Sequence, residues 1–165
     1  MDRASEIIQV IESNPGIQFR EIMRKTGLKN GVLEHYSSKL ERDGVVKIER
    51  SPGQTRFYPL GLSDCEMCLI KNLRRETPRQ ILSLLLQYDL LSFGEMVDKA
   101  KKSPATISLY LAHLEEERIV EIRFINSKRK YRLAEKDKLR DVIERYHPSI
   151  IESSADHLAD TFSSL

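Results

Sequence analysis

Thr26 to Tyr58 reads TGLKNGVLEHYSSKLERDGVVKIERSPGQTRFY, a turn, a helix and a hairpin in close succession. Thr26-Gly27-Leu28 is a tight turn. Lys29 to Asp43 carries helical periodicity: Leu33 and Leu40 recur at heptad spacing with Val32 and Tyr36 flanking them, which turns one face inward. Asp43-Gly44 ends it. Val45 to Tyr58 reads as two short strands folded at Ser51-Pro52-Gly53-Gln54, because proline presets the second turn position and glycine supplies the positive φ a type II turn needs at the third. A helix followed by a charged hairpin is a shape that inserts into a groove.

Upstream, Ile7, Ile8, Val10 and Ile11 make an amphipathic helix from about Arg3 to Ser13, stopped by Asn14-Pro15-Gly16. Gly16-Ile17-Gln18-Phe19 is too short for an independent strand and is placed at the edge of the later hairpin. Phe19 to Lys25 forms a second helix that buries Ile22 and Met23 and exposes Arg20, Arg24 and Lys25.

The same order then recurs. A gapless shift of 74 residues aligns Ile7 with Ile81, Ile8 with Leu82, Ile11 with Leu85, Ile17 with Leu91 and Phe19 with Phe93. It continues through Leu33 and Ile107, Tyr36 and Tyr110, Leu40 and Leu114, Glu41 and Glu115, Val46 and Val120, Ile48 and Ile122, and Phe57 and Tyr131. One register held across three helices and a hairpin points to duplication of a module. The expected fold is α+β and mostly α: two winged helix-turn-helix modules in tandem, with a connecting helix and a C-terminal helical tail. The divisions fall at 1–62 for the first module, 63–134 for the connecting helix and second module, and 135–165 for a tail that docks or dimerises.

Between the modules, Ser63 to Arg75 lacks the Gly/Ser richness of a flexible linker and reads as a helix capped by Ser63 or Asp64, so the modules are expected to be held rigidly. Thr77-Pro78 is expected to start the next helix, with Thr77 as cap. Ser103-Pro104 carries the same signature before the second recognition helix. Beyond Leu133, Glu135 to Tyr146 places Leu139, Val142 and Ile143 on one helical face, and His147-Pro148 breaks it. Ile150, Ile151, Leu158 and Phe162 follow in an acidic background, docked on the body, on a second subunit, or disordered.

Charge is arranged unevenly within the net +2. Residues 1–62 carry 10 basic and 8 acidic side chains, 63–134 carry 13 and 10, and 135–165 carry 4 and 7, so the modules are mildly basic and the tail acidic. No apolar run approaches the ~20 residues of a membrane helix, and the first residues lack the pattern of a signal peptide. A cytoplasmic, nucleoid-associated protein is expected. Two cysteines fit a reducing compartment. No phosphate loop, Walker sequence or nucleophile elbow occurs, so no enzyme activity and no cofactor is expected.

Asn14-Pro15-Gly16-Ile17, Phe19-Arg20-Glu21-Ile22, Thr26-Gly27-Leu28, Gly31-Val32-Leu33 and Lys39-Leu40-Glu41-Arg42-Asp43-Gly44 resemble the archaeal tandem winged helix-turn-helix transcriptional regulators. The resemblance covers both repeats, about 130 residues. It departs at Lys29, where such families usually carry Ser or Thr, and at Ser37, where they carry Leu. The first weakens the helix cap and the second thins the core. The resemblance implies double-stranded DNA as partner, contacted by the third helix of each module, and a transcriptional role that brings in the general transcription machinery. A homodimer is expected from the helical C-terminal segment and from the match between two-fold proteins and palindromic sites.

The residues agree, unequally for the two repeats. With Leu33 and Leu40 facing inward, Asn30, Glu34, His35 and Ser38 lie on the open face, flanked by Lys29 and Lys39, with Arg20 on the preceding helix. These side-chain types contact base edges or phosphates, although any solvated helix face can carry them. The first wing offers Arg50, Gln54 and Arg56. The second recognition helix offers Lys102, Ser103, Thr106 and Ser108 but ends in Glu115-Glu116-Glu117. Its wing compensates, since Lys128, Arg129 and Lys130 sit together near the tip, positioned for phosphates or the minor groove. Two alternatives stay open: a protein-interaction scaffold built from tandem winged helices, and a redox- or metal-responsive regulator using Cys65 and Cys68. Cys65 and Cys68 share one helix face; buried structural thiols are the simpler reading.

Overall fold

Residues 1–146 are described by the computed structural model. The Asp2 carboxylate accepts the Ser5 amide at 2.7 Å and starts α1 (Arg3–Ser13), which buries Ile7 and Ile11 and ends at Asn14. There follow β1 (Ile17–Gln18), α2 (Phe19–Thr26), α3 (Asn30–Arg42), β2 (Val46–Ser51) and β3 (Gln54–Pro59). The two-residue strand does add to the hairpin: Ile17 pairs with Phe57 and Gln18 with Arg56, giving the antiparallel order β1-β3-β2. Pairing with the edge of β3 is what makes so short a strand worth ordering, since each main-chain group then finds a partner.

The second half repeats this in register. After α4 (Asp64–Leu73) come α5 (Glu76–Tyr88), α6 (Phe93–Ala100), α7 (Pro104–Glu116), β4 (Val120–Ile125) and β5 (Lys128–Leu133), and a last helix, α8, begins at 136 and is described to 146. Both ends of α6, α7, β4 and β5 lie 74 residues after those of α2, α3, β2 and β3. Leu91 bridges Tyr131 as Ile17 pairs with Phe57. Backbone conformation repeats even where sequence does not: Gly27 and Gly44 have φ of 72° and 71°, and their counterparts Lys101 and Arg118 have 54° and 60°. A side chain in that region costs about 1–2 kcal/mol, so the turn geometry is retained against local preference. The hairpin turns diverge. The first uses Pro52 and Gly53, with Gly53 at φ 77°; the second uses Asn126 and Ser127, both at positive φ, the pattern of a type I′ turn.

Two apolar clusters hold the chain. Ile7, Ile11, Ile17, Ile22, Leu33, Leu40, Val46 and Phe57 form the first. The second joins α4, through Leu69, Ile70 and Leu73, to Ile81, Leu85, Ile107, Leu111 and Leu114, and it also takes in Tyr58. Strand β3 is the joint: Phe57 points into the first cluster and Tyr58, on the opposite face, into the second. Ser63 starts α4 with a reciprocal capping box to Glu66, and the Arg74 guanidinium donates from Nε to the Pro15 carbonyl at 2.6 Å, tying the far end of α4 to the first module. The connection is therefore the helix expected, with contacts to both modules.

Two expectations need correction. Thr77 does not cap α5, which begins at Glu76 with Arg75 in the cap position making no side-chain bond; Pro78 is the third helical residue, where an amide has no intrahelical partner to lose. Cys65 and Cys68 are half-buried rather than buried. Leu139 and Val142 of α8 lie in the second cluster, so this helix docks on the body of its own chain, one of the two readings given for the segment. The readings made for the tail beyond 146 lie outside the described residues. Among the described residues, no helix is long and apolar enough to cross a membrane.

Candidate nucleic-acid interface

In the first module, α2 ends when Gly27 donates its amide to the Met23 carbonyl, and the Thr26 hydroxyl accepts the Leu28 amide at 3.3 Å. Leu33, Ser37 and Leu40 are the buried residues of α3, which leaves Asn30, Glu34, His35, Ser38 and Lys39 exposed along the other side. Arg20, Arg24 and Lys25 of α2 and Lys29 at the cap of α3 are exposed as well. The two departures of sequence have the consequences expected. Lys29 occupies the cap of α3 without a side-chain bond, and the buried Ser37 hydroxyl has no partner, where an unmade bond costs about 1–3 kcal/mol.

The first wing is poorer in available cations than its sequence suggests. Arg50 is exposed but engaged: both guanidinium arms reach the Glu41 carboxylate of α3, at 2.8 and 3.2 Å. Arg56 is only 4% exposed and donates to the Gly16 carbonyl at 2.8 Å, so it is a structural residue and not a surface contact. Alternation puts Arg56 on the same face of β3 as Tyr58, and that face is turned toward the second cluster instead of solvent. Gln54 remains exposed near the turn.

In the second module the Ser103 hydroxyl accepts the Thr106 amide, and the two hydroxyls lie 2.8 Å apart, so both are occupied with capping α7. Lys102 is paired with Glu76 at 3.2 Å. Ser108 is exposed, together with Leu109, which helical periodicity alone does not single out. The wing cations are not equivalent. Lys130 binds Glu95 at 3.0 Å, and this bond, with those from Ser92, carries the Glu95 carboxyl down to about 2. Arg129 lies over the Phe124 ring, 5.9 Å from its centroid. Lys128 is exposed and has no ion pair among the described residues. Phe124 is itself 69% exposed and Ile125 42%, although both are apolar.

Glu117, at the end of α7, faces inward instead of extending the acidic run. Its carboxylate accepts from Cys68 Sγ at 2.6 Å and from Asn72, and pairs with Lys71 at 3.1 Å; Lys71 also approaches Glu49 of β2 at 3.8 Å. Burial, then the neighbouring Glu117 carboxylate, pushes the Cys68 thiol up to about 12. A thiol held protonated is a poor metal ligand and a slow nucleophile. Cys65 instead approaches Glu135, with Sγ 3.6 Å from the carboxylate. Among the described residues no group of three or more His, Cys, Asp or Glu is placed to hold a metal ion.

Residues 1–70 match a family model described as an N-terminal HTH domain, and residues 75–121 match that of the bacterial regulatory proteins of the arsR family. The chain thus carries two helix-turn-helix domains in tandem, each followed by a wing. No curated protein matches it. Among solved structures it is similar to the homodimeric winged helix-turn-helix DNA-binding domain Mb0332 of Mycobacterium bovis, a possible ArsR-family transcriptional regulator. The identity is 23%, over 62% of this chain and 94% of that one, with a TM-score of 0.37. A conserved hypothetical protein from Chlorobium tepidum matches over 87% of this chain and 94% of its own, at 14% identity and a TM-score of 0.31.

Proposed function

We propose that the chain is a sequence-specific regulator of transcription that binds double-stranded DNA, with α3 in the major groove and the second wing on the backbone or in the minor groove. One observation carries this reading: α3 exposes Asn30, Glu34, His35, Ser38 and Lys39, while the preceding helix exposes Arg20 and Arg24 and the α3 cap exposes Lys29. Asn and His offer donors and acceptors to base edges, Glu34 can accept from a cytosine amino group, and the lysines and arginines meet phosphates. The labour is divided. The first module reads with its helix, because its wing arginines are engaged elsewhere. The second grips with Lys128 and Arg129, because α7 offers few polar contacts. Residues 1–62 and 63–134 are the units of this division, and a homodimer on a two-fold site belongs to the same proposal.

A second reading has its own support. The exposed side of α7 carries Ala105, Leu109 and Ala112 and ends in Glu115 and Glu116, a surface suited to a protein partner such as the transcription machinery. Titrating mixed-sequence duplex DNA at two salt concentrations separates the readings. A regulator binds at micromolar protein and weakens steeply between about 50 and 200 mM salt; a scaffold shows no salt-sensitive binding.

A further inference from the structure

The second hairpin differs from the first at its tip. Phe124 and Ile125 are exposed by 69% and 42%, and they immediately precede the Asn126-Ser127 turn. In the first hairpin the corresponding positions, 74 residues earlier, hold Arg50 and Ser51, and Arg50 is bound back to Glu41. Cross-strand register pairs Phe124 with Arg129 and Ile125 with Lys128. Residues directly opposite share a face and successive residues alternate, so each face of the ribbon carries one apolar side chain and one cation. Arg129 over the Phe124 ring shows this pairing directly. Arg123 and Arg132 add charge along the same two strands, both held near Glu121.

We infer that this hairpin is a wedge that enters the minor groove of double-stranded DNA and bends it. Phe124 and Ile125 lie against the two groove walls, and Arg129 and Lys128 lie on the phosphates that flank them. The inference rests on the DNA-binding reading above and adds to it a residue pair and a mechanical consequence. An apolar tip flanked by cations on both faces is complementary to a partner that is apolar within and anionic at its rim. The minor groove has that cross-section, with sugar and base edges inside and phosphates outside. Size then dictates deformation. With its two faces turned to the two walls, the ribbon spans the groove through its side chains, a thickness of about 10 Å by the spacing of packed sheets, and the groove of unperturbed B-DNA is about 6 Å wide. The ribbon fits only if the groove opens, and apolar side chains that force it open kink the duplex toward the major groove, by about 20–90° in proteins that work this way. Affinity should therefore depend on how easily the DNA deforms, with flexible TA steps favoured over stiff A-tracts at positions no side chain reads.

The test uses the full chain and a duplex of about 20 base pairs, roughly 68 Å long, with donor and acceptor dyes at its ends and TA steps at its centre. Wild type should raise energy transfer on binding and should bind an A-tract duplex roughly tenfold more weakly. Phe124→Ser with Ile125→Ser should still bind, lose the rise in transfer and no longer distinguish the two duplexes. Both residues are exposed, and thermal unfolding followed by circular dichroism checks that the variant is folded. Three results overturn the wedge while leaving DNA binding intact: wild type binds without bending, the double variant bends DNA as wild type does, or the variant changes the sedimenting mass of the protein and not the bend. Absence of any binding by wild type defeats both the wedge and the DNA reading beneath it.

Discussion

Replacing Gly16 by alanine tests how the first module is joined to the rest. Gly16 has φ of 80°, donates its amide to the Phe57 carbonyl at 2.8 Å, and accepts Arg56 on its own carbonyl. A Cβ at this position would stand 2.9 Å from Ile70 Cγ2 and 3.2 Å from both Cδ and Nε of Arg74. Ile70 is fully buried, and Arg74 is anchored on the Pro15 carbonyl, so neither neighbour can swing aside freely. The substitution then costs about 1–2 kcal/mol for the left-handed backbone and about 1–3 kcal/mol for overpacking, roughly 2–5 kcal/mol together. Gly27 is the control: its φ is 72° and a Cβ added there would meet nothing within 4 Å, so Gly27→Ala should cost only the backbone part, about 1–2 kcal/mol. Urea unfolding followed by circular dichroism gives both values, and the difference between them isolates the contact with α4. Equal losses, within about 0.5 kcal/mol, would refute the claim that α4 is packed on this turn.

Arg56→Leu should lower stability by about 1–3 kcal/mol, by leaving the Gly16 carbonyl without its donor, while the folded variant binds DNA as wild type does; a loss of affinity at unchanged stability would restore Arg56 to the interface. Glu95→Gln should release Lys130 and steepen the salt dependence of DNA binding by about 0.9 in the log–log slope, the value for one added phosphate contact. The same variant should alter acid sensitivity. The Glu95 carboxyl is held to about 2, below its ordinary 4.5, so it contributes stability above about pH 4.5 that is lost as pH falls toward 2, and acid titration of the variant should lack that loss. Cys68, with its thiol pushed up to about 12 from an ordinary 9, should carry about a thousandfold less thiolate near pH 8 and alkylate correspondingly slowly, as timed mass spectrometry would show. Rapid labelling of Cys68 in the folded chain would contradict the Glu117 contact.

The elements were legible because one pattern occurs twice. A 74-residue register constrains each helix and strand by its counterpart, and even β1 was placed correctly at the hairpin edge although two residues carry little signal of their own. Ser63 and Ser103 were legible as caps because hydroxyl caps act locally. Arg56 departs from expectation for the opposite reason: it shares the face of β3 that carries Tyr58 into the second cluster, whose other members all lie later in the chain, and alternation within β3 does not encode that packing. Lys130 and Lys102 were counted as available cations, yet their partners Glu95 and Glu76 lie 35 and 26 residues away in sequence. The inward turn of Glu117 was hidden in a run of three glutamates, of which only this one meets Lys71. The exposed pair Phe124 and Ile125 did leave a signal, an apolar doublet just before a turn, where a strand leaving the body should become polar.

The division of labour between the modules is tested most directly by comparing two variants over a salt series on a panel of duplexes. Lys128→Ala with Arg129→Ala should weaken binding on every sequence and reduce the log–log salt slope by about 1.8, two phosphate contacts at about 0.9 each, with base preference unchanged. Asn30→Ala with His35→Ala should leave that slope within about 0.3 of wild type and change which duplex binds best. Equal losses on all sequences from both variants, or a preference altered by the wing variant and not by the helix variant, would contradict the account.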